Sequence, residues 1–260
     1  MKKISILLTG FFVLAACNSS DKTSSSGISD IATESLKGDI SAYEETPYKT
    51  DSTGKIGEMD SCCISTSEYD ENGNGIKNIS KDSKGVVKSE SVITRNPNGS
   101  FKSVANTEKG KSSGGFDTKS DDKGNYTWAG EIDSNGKGGI YYTNITQTEN
   151  GLISGWKQYD KDSVFRQSGE SVYNKNLQTS FTLKDSVGKV KSSSAYKYND
   201  KGEQIEVSNT NITKDSTTTK ITKYTYDAHD EMGNWTQRTA WDEKGKATSI
   251  TKRKYTYKKK

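Results

Sequence analysis

Polar and apolar residues alternate along most of the chain, and short polar clusters that end in glycine interrupt the alternation. An acidic or polar residue stands three positions before the glycine of each cluster, as Asp70 does before Gly73. Asp, Asn or Thr in this position can bond the backbone two residues on, and glycine supplies the positive φ that closes a hairpin turn. The glycines of this kind are Gly73, Gly85, Gly99, Gly110, Gly124, Gly136, Gly151, Gly188, Gly202, Gly233 and Gly245.

The spacing of these turns predicts the fold class. Neighbouring glycines up to Gly151 are 11 to 15 residues apart. Four-residue turns at this spacing leave strands of roughly eight to ten residues. Weaker turn sequences at 160–163, 174–177 and 211–215 fill the longer gaps. We therefore predict an all-β protein in which antiparallel β-hairpins repeat along one sheet, as a meander that is either flat or curled and coiled.

Aromatic residues recur at even spacings within the predicted strands. Residues two apart share one face of a strand, so these rings form rows. Rows of exposed Tyr and Trp can stack on sugar rings or contact a protein partner, which makes them the candidate binding residues. They are Tyr126, Trp128, Tyr196, Tyr198, Tyr224, Tyr226, Trp235 and Trp241.

A short helical pattern precedes the strands. Ile31, Leu36, Ile40 and Tyr43 approximate helical spacing, with Ser29 or Asp30 as N-cap and a stop at 46–47. We predict a short N-terminal helix or cap at the first repeat.

The N-terminus carries a targeting signal. Lys2 and Lys3 precede an apolar run, at 4–14, that is too short for a permanent membrane span of ~20 residues. The sequence Leu-Ala-Ala-Cys that ends at Cys17 resembles the lipobox of bacterial lipoproteins. The resemblance implies that Cys17 carries a diacylglycerol, with palmitate-type acyl chains, and becomes the first mature residue. The alternative is an ordinary cleaved signal with an incidental cysteine.

These features divide the chain into four parts. Residues 1–16 are the signal peptide, and 17–30 are the acylated cysteine and a Ser-rich tether. Residues 31–60 are an N-terminal cap or linker, and 61–260 are the β-hairpin repeat domain. An aspartate directly after the acylated cysteine would resemble an inner-membrane retention signal, but this position is Asn18. We therefore expect an outer-membrane location, facing the periplasm or exposed at the surface.

A second resemblance concerns the repeats. Tyr224-Thr-Tyr226-Asp227, followed by Gly233-Asn234-Trp235, resembles the Tyr-Asp repeat of RHS-type proteins. Residues 233–257 are also similar to the C-terminal pattern of small Bacteroidetes lipoproteins. The resemblance implies a sheet of β-hairpin repeats, and it carries over no catalytic residue.

Composition restricts the chemistry. Only 29% of the residues are hydrophobic, 28% are charged, and the formal net charge is +4. Both signs are interspersed, which disfavours nucleic acid as a partner. One histidine and three cysteines leave little material for a metal, cofactor or nucleophilic site. The run that starts at Asp70 matches the first half of an EF-hand calcium loop, but Lys81 stands where the bidentate glutamate belongs, so only a weak turn-bound cation stays open.

Three further features have structural interpretations. We favour free or intermolecular thiols for Cys62 and Cys63, because adjacent Cα atoms are ~3.8 Å apart and a relaxed disulfide needs more. His229 is interpreted as a surface turn residue. The basic run at 252–260 is interpreted as an edge strand protected by lysines, with contact to anionic headgroups as the alternative.

The expected function is therefore non-catalytic. We predict a lipid-anchored envelope protein that contacts the membrane through its N-terminal lipid and binds a glycan or protein through its β-repeat surface. An envelope glycan hydrolase and an immunity or inhibitor lipoprotein remain the alternatives. A hydrolase would need two converging carboxylates, about 5 to 10 Å apart.

Overall fold

The computed structural model describes residues 28–51, 53–60 and 63–259. Their regular structure is one short helix and seventeen strands. The bounds are α1 Asp30–Thr33, β1 Ile40–Thr50, β2 Ile56–Met59, β3 Ile64–Tyr69, β4 Gly75–Lys81, β5 Val87–Arg95, β6 Phe101–Glu108, β7 Lys111–Ser120, β8 Tyr126–Ile132, β9 Gly138–Gln147, β10 Ile153–Tyr159, β11 Phe165–Asn174, β12 Leu177–Asp185, β13 Val190–Tyr198, β14 Gln204–Ile212, β15 Thr217–His229, β16 Trp235–Asp242 and β17 Ala247–Tyr257.

The sheet closes on itself. Strands β3 to β17 pair antiparallel in chain order, and β1 lies between β17 and β3. Tyr43 of β1 is opposite Tyr255 on one side and Ser67 on the other. Sixteen strands thus form a closed barrel, and β2 adds a short pairing at the end of β1. The antiparallel all-β prediction is confirmed, but the sheet is a closed barrel and not an open meander.

The turns have the chemistry that the sequence indicates. In the β3–β4 turn, one carboxylate oxygen of Asp70 accepts hydrogen bonds from the N–H groups of Asn72 and Asn74. All eleven of the predicted turn glycines have positive φ. The β6–β7 connection is shorter than predicted, because Glu108 already pairs with Lys111 across a two-residue turn. Because it accepts the two bonds from Asn72 and Asn74, the carboxylate of Asp70 is used within its own β3–β4 turn.

The two ends of the barrel differ. At one end, residues 28–39 form a capping segment that crosses the turns: Ile28 donates to the carbonyl of Asn150, and Ile31 donates to that of Gly73. Lys37 donates to the side chain of Asn234, which is almost fully buried. At the other end, the turn glycines face open space, because a Cβ added to any of them would meet no atom within 4 Å. These glycines are Gly85, Gly110, Gly136, Gly188 and Gly245. We call these the capped end and the open end.

A buried ion pair fastens the capping segment. Asp30 lies 2.5 Å from Arg95, and both side chains are largely buried, at 16% and 9% exposure. Asp30 also accepts the N–H of Gly75, and Arg95 donates to the carbonyls of Gly75 and Gly99. The pair therefore joins α1 to two turns of the capped end.

Tyrosine hydroxyl groups join neighbouring strands at the capped end. The Tyr198 hydroxyl on β13 donates to the carbonyl of Gln178 at the start of β12, 2.9 Å away. The last backbone pair between β12 and β13 is that of Ser180 with Ala195, and the Gln178 carbonyl lies beyond it. The phenol therefore supplies a hydrogen bond where the neighbouring strand no longer does. The same arrangement recurs in the pairs Tyr173–Ile153, Tyr226–Gln204 and Tyr255–Trp235.

The structure corrects several local expectations. The helix is only Asp30–Thr33, although Ser29 does cap it, and the chain from Ile40 through Pro47 is strand and not helix. The basic run begins in β17, which pairs with β16 as far as Lys252 and with β1 as far as Tyr257, so this strand is not an edge strand of the sheet. His229 is the last residue of β15 and not a turn residue.

Cys63 is disulfide-bonded, which contradicts the preference for free or intermolecular thiols. The other two cysteines, Cys17 and Cys62, lie outside the described residues. The lipidation site, the signal peptide and most of the tether lie there too, so these assignments stay predictions.

Within the part of the chain that the structure describes, no helix is both long and apolar enough to cross a membrane.

Gly114 on β7 should be the least replaceable of the positive-φ glycines. Its φ is +101°, and an added Cβ would lie 2.2 Å from the carbonyl oxygen of Ile132 on β8. Gly114→Ala should therefore lower the free energy of unfolding by at least ~2 kcal/mol more than Gly188→Ala does, since Gly188 has positive φ but open space. Urea denaturation measures both. Equal losses would contradict the close approach of β7 and β8.

The Asp30–Arg95 pair should stabilise the fold far more than a surface pair does. Asp30→Ala leaves Arg95 buried without this carboxylate, which should cost ~3–5 kcal/mol. The control is Glu90→Ala, which removes the partner of Lys77 in a pair with both side chains 32% exposed. It should cost no more than ~1 kcal/mol. Urea denaturation again decides, and similar costs would contradict the fastening role of Asp30.

Alkaline pH should weaken the barrel. Burial raises the pKa of Tyr198 to about 12, and it raises the pKa of Tyr126 to about 12 as well. A phenol whose pKa is higher in the folded than in the unfolded chain stabilises the fold fully below the unfolded value near 10, and this contribution is lost as pH rises toward 12.

The free energy of unfolding should therefore fall between these two pH values, and the ultraviolet phenolate signal of the buried tyrosines should appear together with unfolding. Tyr198→Phe should make the pH dependence shallower, because the mutant has one titrating phenol fewer. If every tyrosine ionised near its usual pKa in the folded protein, the burial of these phenols would be contradicted.

Candidate functional site

A cavity lies at the capped end, between the capping segment and the inner wall of the barrel. Its volume is about 220 Å³, and residues 33–37 cover it. The wall below is formed by Tyr226 of β15, Trp235 and Arg238 of β16, and Arg253 of β17. Tyr198 and Glu203 line the side nearest the β13–β14 turn. We call this the capped-end cavity.

Trp235 holds two guanidinium groups in place. The Arg253 guanidinium lies 4.2 Å from the centre of the Trp235 ring, and the Arg238 guanidinium lies 4.7 Å from it. Arg238 also lies 5.0 Å from the ring of Tyr224. The rings therefore position both cations through cation–π contacts, which strengthen when they are shielded from water. Trp235 itself is only 7% exposed, so water has little access to the ring that positions the two guanidinium groups.

Arg253 is fully compensated by anionic and phenolic groups. It donates to Glu45 at 2.7 Å and lies 3.4 Å from Glu34 of the capping segment. Burial alone would lower the pKa of Arg253, but the charges of Glu45, Tyr43 and Glu34 raise it above its usual range. Arg253 is therefore a fixed cation with an anionic surrounding.

Glu34 has two further partners. The hydroxyls of Tyr43 and Tyr69 both donate to its carboxylate, at 3.0 and 2.9 Å. Burial, with the nearby charge of Glu34, raises the pKa of both tyrosines well above the usual range. They remain neutral donors, so Glu34 is held by β1, β3 and β17 at once.

Glu203 is held in a similar way on the opposite side of the cavity. Its carboxylate lies 2.5 Å from Nε2 of His229 and accepts a hydrogen bond from the amide of Asn199 at 2.7 Å. The side chain of Glu203 is only 9% exposed. Both carboxylates of the cavity thus have partners within the protein.

Arg238 differs from these groups. Among the described residues it has no carboxylate within ion-pair distance, and its Nε is shielded from solvent with no hydrogen-bond partner, although its side chain hydrogen-bonds the Tyr226 hydroxyl. The rings of Trp235 and Tyr224 contact the guanidinium group, so a ligand would approach the N–H groups at its edges. Edge-on binding is the geometry in which arginine pairs with carboxylate or phosphate oxygens.

The predicted aromatic residues do not share one face. Tyr198, Tyr226 and Trp235 line the capped-end cavity, and Tyr224 contacts Arg238. Tyr126 is buried in a core cluster with Phe101 and Val104. Trp128 lies under Lys119, and Trp241 donates to the Thr225 hydroxyl. Tyr196 is half-buried on β13. A binding role for all eight stays a prediction.

Sequence reasoning did not select the charged residues of the cavity. The chain has 38 basic residues, of which only Arg95, Arg166, Arg238 and Arg253 are arginine. Three of these four lie at the capped end, and this rarity is a signal that could have identified them. Glu203 and Glu34 carry no comparable signal among the 34 acidic residues.

No cluster of three or more potential metal ligands occurs among the described His, Cys, Asp and Glu residues.

Comparisons with known proteins establish the fold alone. No family model matches the chain. No curated protein matches it either. A solved porin-like protein from Bacteroides uniformis is similar over 84% of this chain and 98% of that chain, with 12% identity and a TM-score of 0.53. At that identity the likeness supports the closed barrel and nothing about activity.

Two further structures are more distant. A porin-like protein from Bacteroides vulgatus aligns over 84% of this chain and 98% of its own, with 12% identity and a TM-score of 0.36. The Tc holotoxin pore of Photorhabdus luminescens aligns over 80% of this chain and 11% of its own, with 14% identity and a TM-score of 0.33. Such low scores support no argument, so the RHS resemblance stays a prediction.

Proposed function

We propose that this protein is a lipid-anchored component of the cell envelope whose barrel is a non-catalytic scaffold for binding a glycan. The observation that carries the binding role is the capped-end cavity, where Trp235 and Tyr226 lie beside Arg238, which has no anionic partner among the described residues. The envelope location is supported by the lipobox-like sequence at Cys17 and by a fold shared with a protein named porin-like.

The position of the capping segment limits the reach of the proposed anchor. Ile28, the first described residue, bonds Asn150 at the capped end. Ten residues, 18–27, separate it from Cys17. Fully extended, such a segment spans at most ~35 Å. A lipid on Cys17 would therefore hold the capped end within about 35 Å of the outer membrane.

Binding accounts for the cavity better than hydrolysis does. Glu34 and Glu203 both line it and are the two carboxylates that a hydrolase could use there. Each carboxylate, however, is already engaged: Glu34 by two tyrosines and Arg253, and Glu203 by His229 and Asn199. A general acid must be able to give its proton to the substrate, and a nucleophile must be able to reach it. These contacts favour a structural role for both carboxylates.

Metabolic labelling with an alkyne fatty acid tests the anchor. The full chain expressed in a bacterium that processes lipoproteins should incorporate the label and fractionate with the outer membrane. Cys17→Ala should remove both properties, because no acceptor thiol remains at the processing site. Cys62→Ala, which changes a cysteine beyond the lipobox, is the matched control and should keep the label. Absence of label from the unaltered chain would refute the anchored location.

A further inference from the structure

The charge balance of the capped-end cavity points to an anionic ligand. Four basic and two acidic side chains line it. The two carboxylates, Glu34 and Glu203, are engaged as described above, and Arg253 is compensated by Glu34 and Glu45. Arg238, with exposed Lys37 and Lys201 at the rim, therefore leaves the cavity with an excess of positive charge.

The position of Arg238 is costly without a ligand. Arg238 is half-buried, and a partly shielded guanidinium that lacks an anion loses solvation that cation–π contacts recover only in part. Its Nε has no hydrogen-bond partner among the described residues, and Tyr226 is a neutral partner for the rest of the group. Two aromatic faces hold the group in one orientation, so the entropy cost of ordering it is met before a ligand arrives. Preorganised, uncompensated positive charge of this kind is the arrangement found where proteins bind oxyanions.

The size and lining of the cavity limit the ligand. About 220 Å³ holds a small polar molecule. Leu36, Leu177 and Tyr198 add apolar and aromatic surface beside the polar groups. A single sugar ring with one charged substituent combines these properties, whereas a longer chain would have to extend past the rim.

We propose that the capped-end cavity binds a sugar unit that carries an oxyanion, either carboxylate or phosphate, with the oxyanion paired to Arg238. Lys37 and Lys201 at the rim attract the ligand, and Tyr198 and Leu177 contact its ring. This deepens the proposed glycan-binding function by naming the class of sugar, and it rests on that function.

Calorimetric titration of the full chain in detergent tests the proposal with three sugars that share one ring. Glucuronate supplies the carboxylate, glucose 6-phosphate supplies the phosphate, and glucose is the neutral control. At least one charged sugar should bind at least tenfold more tightly than glucose and change the tryptophan fluorescence, because the ligand approaches the environment of Trp235. Which of the two binds identifies the oxyanion.

Three variants assign the binding to this cavity. Arg238→Lys keeps the charge but loses the fork of donors, and it should weaken binding of the charged sugar at least tenfold. Lys201→Glu changes an exposed rim residue that cannot disturb the core, and it should weaken binding severalfold. Arg166→Lys is the matched control: Arg166 pairs with Asp160 at the open end, so binding should be unchanged. Circular dichroism and thermal unfolding confirm that each variant is folded.

The proposal is overturned if neither charged sugar binds at millimolar concentration, if glucose binds as tightly as both, or if Arg238→Lys and Lys201→Glu bind normally. These outcomes are separable from failure of the anchor. Loss of fatty-acid labelling with intact sugar binding refutes the envelope location, whereas intact labelling without sugar binding refutes the role of the cavity.

Discussion

Closure of the backbone hydrogen bonds between β1 and its two neighbours, β17 and β3, is the constraint on which the remaining structure depends. A chain with only 29% hydrophobic residues cannot build a thick core, and an open sheet would leave two unpaired strand edges. The barrel removes both edges by inserting the first strand between the last and the third. The lysines of β17 therefore serve as outward charges on a paired strand and not as protection for an edge.

Closure also creates the division between the two ends. Every second turn lies at the capped end. There, residues 28–39 cross the barrel and bury polar groups that the strands leave uncovered. Asp30 and Arg95, the tyrosine hydroxyls and Asn234 hold this segment by directional bonds. Polar contacts with defined geometry thus take the role that apolar packing has in less polar proteins, because buried polar groups are stabilising only when each is paired.

The capped-end cavity follows from the same arrangement. The segment that covers it is short, and its helix has four residues, so it leaves space above Trp235 and Tyr226. Aromatic rings order two arginines in that space, and carboxylates neutralise only Arg253. The remaining charge on Arg238 gives the site its proposed preference, which no single strand could provide because its components come from β12 to β17 and the capping segment.

Local structure could be predicted from the sequence, because each local feature depends on neighbours in the chain. Asp70 and Gly73 specify their turn, Ser29 specifies the cap of α1, and the period-two pattern around Tyr224 and Tyr226 specifies a strand. Closure of the barrel could not be predicted in this way, since the pairing of β1 with β17 depends on twist summed over sixteen strands. For the same reason the pattern identified Tyr198, Tyr226 and Trp235 as rings of interest but could not separate them from Trp128 and Trp241. Long-range contacts alone left Arg238 without a carboxylate among the described residues and gave Arg253 its two, Glu34 and Glu45.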